Sequence, residues 1–199
     1  MLINIVLLPP KELSEKIGRF VRKLSKIYKL QMAVDNKKLL PHISLLHIKT
    51  LPSRLSAIIE TIKAISQKHQ AKPIKLAKPK IGSDYFASNL AQSKTLMALH
   101  KEVVLKIHQF KTGFSSVGNR KGKRLERLYI KKYGAGNILK YFQPHITLGI
   151  VKNPRDLSRI KPVLSKLRFR GFKSNRLALT QVNSRHQVFK IIKEFKLHE

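Results

Sequence analysis

The sequence predicts an α+β protein of two lobes, each a largely antiparallel sheet with helices packed outside. Three observations carry that expectation. Short apolar runs bounded by turn residues alternate with helical stripes along the chain. The order of these elements in the first half recurs in the second. One pentapeptide pattern occurs once in each half.

Taken in order, Ile3 to Leu8 is an apolar run stopped by Pro9 and Pro10, the pattern of a buried strand. It carries no basic n-region and no cleavage site, so it reads as a strand and not as a signal peptide. Lys11 to Leu30 has a helical stripe of Leu13, Ile17, Phe20, Val21, Leu24, Ile27 and Tyr28. Leu39 to Thr50 reads as a strand. Ser53 is a candidate N-cap for a helix reaching about His69 through Leu55, Ile58, Ile59, Ile62 and Ile65. Pro73 to Ile81 and Tyr85 to Leu90 read as strands around Gly82-Ser83-Asp84.

Ser93 then caps a helix carrying Leu96, Leu99, Val103 and Ile107. Lys111 to Gly136 is a polar, basic connection, too long for an ordinary loop. Tyr141 to Val151 reads as a strand, and Pro154 to Leu167 as a helix with its proline near the first position. Phe169 to Val182 and Val188 to Leu197 close the chain as strands around Asn183-Ser184-Arg185. The order β-α-β-α-β followed by β-α-loop-β-α-β-β describes one bilobal unit over residues 1–199.

Composition narrows the function classes. A 199-residue chain with 42% hydrophobic residues can bury a sizeable core. The absence of cysteine excludes disulfides, thiolate metal sites and a cysteine nucleophile. No apolar stretch approaches the roughly 20 residues of a membrane span. Forty-two Lys and Arg stand against 10 Asp and Glu, a net charge of +32. Such a balance favours a polyanionic partner, nucleic acid first, although a Lys-rich source proteome would give the same count.

The duplicated pattern is Pro41-His42-Ile43-Ser44-Leu45 and Pro144-His145-Ile146-Thr147-Leu148. From this composition even one chance occurrence is on the order of 10⁻³. On a strand, side chains alternate with period 2, so His42 projects with Ser44 and His145 with Thr147. Ile43, Leu45, Ile146 and Leu148 then face the core and anchor each pair. Two imidazoles flanking one phosphate are what acid–base phosphodiester chemistry needs: one neutral to accept a proton, one protonated to donate it. The two hydroxyls can hydrogen-bond the non-bridging oxygens as charge builds. A lone histidine at a strand end is more often structural; the duplication argues against that here.

On these residues the chain resembles the two-histidine (2H) phosphoesterase superfamily, whose signature is a pair of His-x-(Ser/Thr)-x motifs about half a chain apart. Members include RNA 2′-5′ ligase-like proteins that act as RNA 2′,3′-cyclic phosphodiesterases; others process 2′-5′ oligoadenylates, cyclic nucleotides or RNA 3′ ends. The resemblance implies two pseudo-symmetric sheets around a central V-shaped cleft, with catalytic roles for His42, Ser44, His145 and Thr147. It implies His42 as acid and His145 as base, and neither cofactor nor metal. Many relatives carry an Arg three positions after the second Thr; here that position is Ile150, preceded by Gly149.

Strand parity places Tyr141 and Gln143 with His145 and Thr147, where Tyr141 can stack on a base. Tyr85 and Phe86 are further aromatic candidates. Between Asn119 and Lys132, Arg120, Lys121, Lys123 and Arg124 lead a run of cations broken by Glu126. That run either closes over the cleft to hold an RNA backbone or is a solvated loop. The remaining histidines, His47, His69, His100, His108, His186 and His198, show no metal spacing and no carboxylate partner pattern, and read as structural or surface groups. The expectation is a cytoplasmic, monomeric, metal-independent phosphodiesterase acting on RNA 2′,3′-cyclic phosphate ends or related 2′-5′ bonds. The alternatives are a 2′-5′ oligoadenylate or small cyclic-nucleotide phosphodiesterase and a non-catalytic RNA-binding module.

Overall fold

A computed structural model describes residues 1–114, 124–165 and 171–198. In chain order its elements are β1 (Leu2–Leu8), α1 (Lys11–Tyr28), β2 (Met32–Ala33), β3 (Ile43–Lys49), α2 (Leu55–Ser66), β4 (Pro73–Ile74), β5 (Leu76–Ile81) and β6 (Tyr85–Leu90). There follow α3 (Lys94–Ile107), α4 (Arg124–Tyr133), β7 (His145–Ile150), α5 (Asp156–Ser165), β8 (Phe172–Lys173), β9 (Arg176–Val182) and β10 (Val188–Lys196). The expected α+β class holds. One antiparallel sheet runs β10-β9-β1-β3, a second runs β2-β7-β6-β5, and β4 pairs with β8. Helices α2 and α3 pack against the first sheet, α1 and α5 against the second.

The lobes are not the two halves of the sequence. β9 and β10 join β1 and β3, while β5 and β6 join β7. The cause is visible in β1. Ile3, Ile5 and Leu7 enter the main core while Val6 and Leu8 enter a smaller cluster with Ala178, Val182 and Val188. A strand buried on both faces needs a neighbour on each edge; β3 supplies one and the C-terminal β9 the other.

Local chemistry accounts for the elements that differ from expectation. Ser53 does not cap α2; Pro52 opens a 3₁₀ turn over Pro52–Arg54, and the helix starts behind it. Ser93 does cap α3, accepting from Leu96 N–H at 3.1 Å. The long basic connection contains α4, built from good helix formers and stopped at Gly134, whose φ of 86° suits glycine. Tyr141 lies in a 3₁₀ turn over Leu139–Tyr141, and the strand begins only after Pro144, which has no N–H to donate.

Candidate active site

Both motif strands carry the same irregularity. In β3, Val6 pairs with Ser44 but Ile5 pairs with Leu46, so Leu45 is one residue too many. In β7, Ala87 pairs with Thr147 but Phe86 with Gly149, which leaves Leu148 over. Each bulge follows directly on the motif hydroxyl, and each extra leucine is buried, at 2% and 1% exposure. Before the bulge, parity holds: Ile43 and Ile146 are in the core while His42, Ser44, His145 and Thr147 line one cleft of about 420 Å³. After it, parity is inverted. The residue three positions beyond the hydroxyl turns to the hydroxyl's face, which is His47 in β3 and Ile150 in β7.

The two imidazoles are held alike. His42 Nδ1 lies 2.8 Å from Leu40 O, and His145 Nδ1 lies 2.8 Å from Gln143 O. A carbonyl only accepts, so in the neutral ring Nδ1 carries the proton and Nε2 is left to accept or transfer one. The first of these carbonyl clamps is fixed in turn. Leu40 N–H donates to Val188 O at 2.9 Å, and the loop before it is tied by Asp35, whose Oδ1 accepts from Lys37 and Lys38 N–H at 3.0 and 2.9 Å. Burial pushes His42 down to about 4, and nearby His145 adds to the effect. His145, half-buried, is lowered by burial with Lys80 contributing.

Further lining comes from several elements. Lys80 pairs with Ala87, which pairs with Thr147, so a short alanine lies between the lysine and the motif strand. Its Nζ donates to Gln143 Oε1 at 3.3 Å and sits 5.8 Å from the Tyr85 ring centre. Tyr85, Tyr141 and Gln143 line the cleft, although Tyr141 arrives on a turn and not by strand parity; Phe86 is fully buried core. Glu126 of α4 also lines it, whereas Arg124 is exposed at the start of that helix. Arg120, Lys121 and Lys123 lie outside the described residues.

The wall behind Tyr141 rests on His100. Its Nδ1 donates to the carbonyl of bulged Leu45 at 3.0 Å, its Nε2 accepts from Leu139 N–H at 2.7 Å, and its ring stacks on Phe142 at 3.7 Å. Four of the histidines read as structural or surface groups behave otherwise or more specifically than expected. His47 and His186 line the cleft, packed edge to face at 5.2 Å. His69 has a carboxylate partner, Glu102, at 2.7 Å. His100 joins the two walls. Period-2 counting puts His47 on the wrong face because the bulge is invisible to it. His186 reaches the cleft through a left-handed residue (φ 61°) in the β9–β10 turn. Among the described residues no three His, Asp or Glu converge as a metal-ligand set.

Two antiparallel sheets meeting at one cleft, each offering a His-x-Ser/Thr pair from a bulged strand, define the two-histidine phosphoesterase class. The chain matches the family model of the 2′-5′ RNA ligase superfamily over residues 9–185 and belongs to that superfamily. Its fold is similar to TT0787 of Thermus thermophilus, at 13% identity and a TM-score of 0.62 over 99% of this chain and 98% of that one. It is similar to E. coli LigT complexed with 3′-AMP, at 10% identity and 0.58 over 99% and 98%. LigT complexed with NADP+ gives 11% and 0.56 over 99% and 97%. No curated protein sequence matches the chain.

Proposed function

We propose that the protein is a metal-independent phosphodiesterase that hydrolyses RNA 2′,3′-cyclic phosphate ends or a related 2′-5′ phosphodiester. The observation that carries this reading is the matched pair of imidazoles, each fixed through Nδ1 to a carbonyl two residues back, with Nε2 left for proton transfer. A water attacks phosphorus as one Nε2 takes its proton; the other Nε2 protonates the ribose oxygen as its bond to phosphorus breaks. Ser44 and Thr147 donate to the non-bridging oxygens. That LigT has been crystallised with 3′-AMP and with phosphate supports a nucleotide phosphate in the cleft.

From the surroundings of the two rings we assign the roles opposite to those the resemblance implies. His42, buried and lowered to about 4, is the group held neutral and serves as base; His145, nearer solvent, takes a proton more readily and serves as acid. The net charge of +32 favours RNA over a small neutral ligand, and Lys80 and Tyr85 offer a cation and a ring beside the reacting phosphate.

The test is a substrate panel of cyclic-phosphate RNA, 2′-5′ oligoadenylate and 2′,3′-cyclic mononucleotides, each run with and without EDTA. Turnover of the first class, unchanged by chelator, is expected. Loss of turnover in EDTA with recovery on adding a divalent cation would sink the mechanism.

A further inference from the structure

Asn4 of β1 and His47 of β3 are register partners, and both converge on one atom. Asn4 Nδ2 donates to Ser44 Oγ at 2.8 Å, and His47 Nε2 lies 3.1 Å from the same oxygen. Asn4 is fully buried and His47 is 7% exposed, so neither contact is shared with bulk water. A hydroxyl accepts two hydrogen bonds and donates one. What His47 does at Nε2 therefore decides where the Ser44 proton goes.

If Nε2 accepts, the ring proton sits on Nδ1, which is buried with no hydrogen-bond partner among the described residues. An orphaned buried N–H is costly, and the Ser44 proton would be spent on the His47 ring instead of on a ligand in the cleft. If Nε2 donates, Nδ1 keeps only a lone pair, and orphaned buried N–H groups are the rarer of the two defects. We infer that Asn4 and His47 form a two-donor cradle that fills both lone pairs of Ser44 Oγ and aims its single O–H at a phosphoryl oxygen in the cleft. The inference rests on the phosphodiesterase reading above and adds an asymmetry to it. The first lobe presents a hydroxyl oriented before substrate arrives. The corresponding position in the second lobe is Ile150, which offers Thr147 no hydrogen bond. Burial holds His47 well below its ordinary pKa, reinforced by His186, His42 and His145, so the ring is a neutral donor and not a third acid or base.

His47 is thus a positioning residue acting through Ser44, and a double-mutant cycle tests it. His47→Leu is expected to lower kcat roughly 10- to 100-fold with KM nearly unchanged, less than the roughly 10²–10³ for losing a transition-state donor outright. His47→Gln, which can present an N–H close to the same place, is expected to recover most of that loss. In a Ser44→Ala background His47→Leu should cost nothing further. An equal loss in both backgrounds would overturn the cradle. The unmutated protein supplies a second readout, since two-dimensional ¹H–¹⁵N spectra of histidine rings report which nitrogen is protonated. A proton on His47 Nε2 is expected; one on Nδ1 would refute the cradle even if every variant folded poorly. Wild-type protein that turns over none of the phosphodiesters would remove the proposed function, and the ring spectrum would still decide the cradle.

Discussion

At the residue scale the two motif imidazoles differ less in contacts than in surroundings. Each has the same carbonyl clamp, yet His42 is buried and His145 half-buried. On the proposed mechanism, removing either ring leaves one proton transfer without a partner. His42→Ala and His145→Ala are each expected to cost roughly 10²–10⁴ in rate, with the double variant little worse because acid and base act as a unit. Both should stay folded, since the core contacts belong to Ile43, Leu45, Ile146 and Leu148. The pH dependence follows from the lowered values. The rate should be bell-shaped, with the acidic limb of kcat/KM, set by His42, displaced below the ordinary imidazole range towards 4. An acidic limb that persists unchanged in His42→Ala would assign it to another group.

At the element scale the bulges give each motif strand its form, and they mark where the sequence stops being legible. The pentapeptides are readable because everything they need lies before the irregularity: His42, Ser44, His145 and Thr147 face the cleft by simple alternation. His47 is not readable, because a single extra leucine reverses the count. Lys80 escapes for another reason. Its place depends on the β5–β6–β7 register, with Ala87 between, and no local pattern encodes that. Helix α4 is hidden under its charge. Gly149 is where the second bulge meets packing most tightly: a Cβ there would sit 2.8 Å from Phe86 Cζ and 2.9 Å from the Met32 carbonyl oxygen. The ring is fully buried and the carbonyl belongs to β2, so neither yields cheaply. Gly149→Ala is expected to destabilise by about 1–3 kcal/mol, seen as a lower denaturant midpoint at unchanged slope. Adding Phe86→Leu should return part of that loss; no recovery would place the strain at β2 instead.

At the scale of the whole molecule the exchange of strands between halves ties the cleft to the core. β1 is flanked by both β3 and β9, and His100 bridges the first bulge to the turn carrying Tyr141, so one buried ring ties the two walls together. That coupling makes stability depend on imidazole protonation. His42 and His100 are both lowered to about 4, and His47 lies well below its ordinary value, in each case chiefly by burial. The folded state then binds fewer protons than the unfolded state between pH 4 and 6.5, and stability must rise with pH across that window. It is fully present above 6.5 and is lost as pH falls towards 4. For His100 alone the drop from 6.5 to about 4 corresponds to an order of 3 kcal/mol, each tenfold change in proton affinity being about 1.4 kcal/mol. Asp35 and Glu102 are also lowered, but from 3.8 and 4.5, so their contribution is lost below those values and meets the imidazole window only at its acidic edge. Self-repulsion of a +32 chain acts in the same direction, which is why the measurement needs fixed, high ionic strength. Thermal melts in steps from about pH 7.5 to about 4.5 are expected to show a plateau above about 7 and a steady fall below it. His100→Gln can still donate to Leu45 O and accept from Leu139 N–H, yet it cannot titrate, so its Tm should fall less steeply over the same steps. A His100→Gln protein whose melting curve tracks the wild type at every pH would remove His100 from the acid transition and leave the buried pair at the cleft, His42 and His47, to account for it.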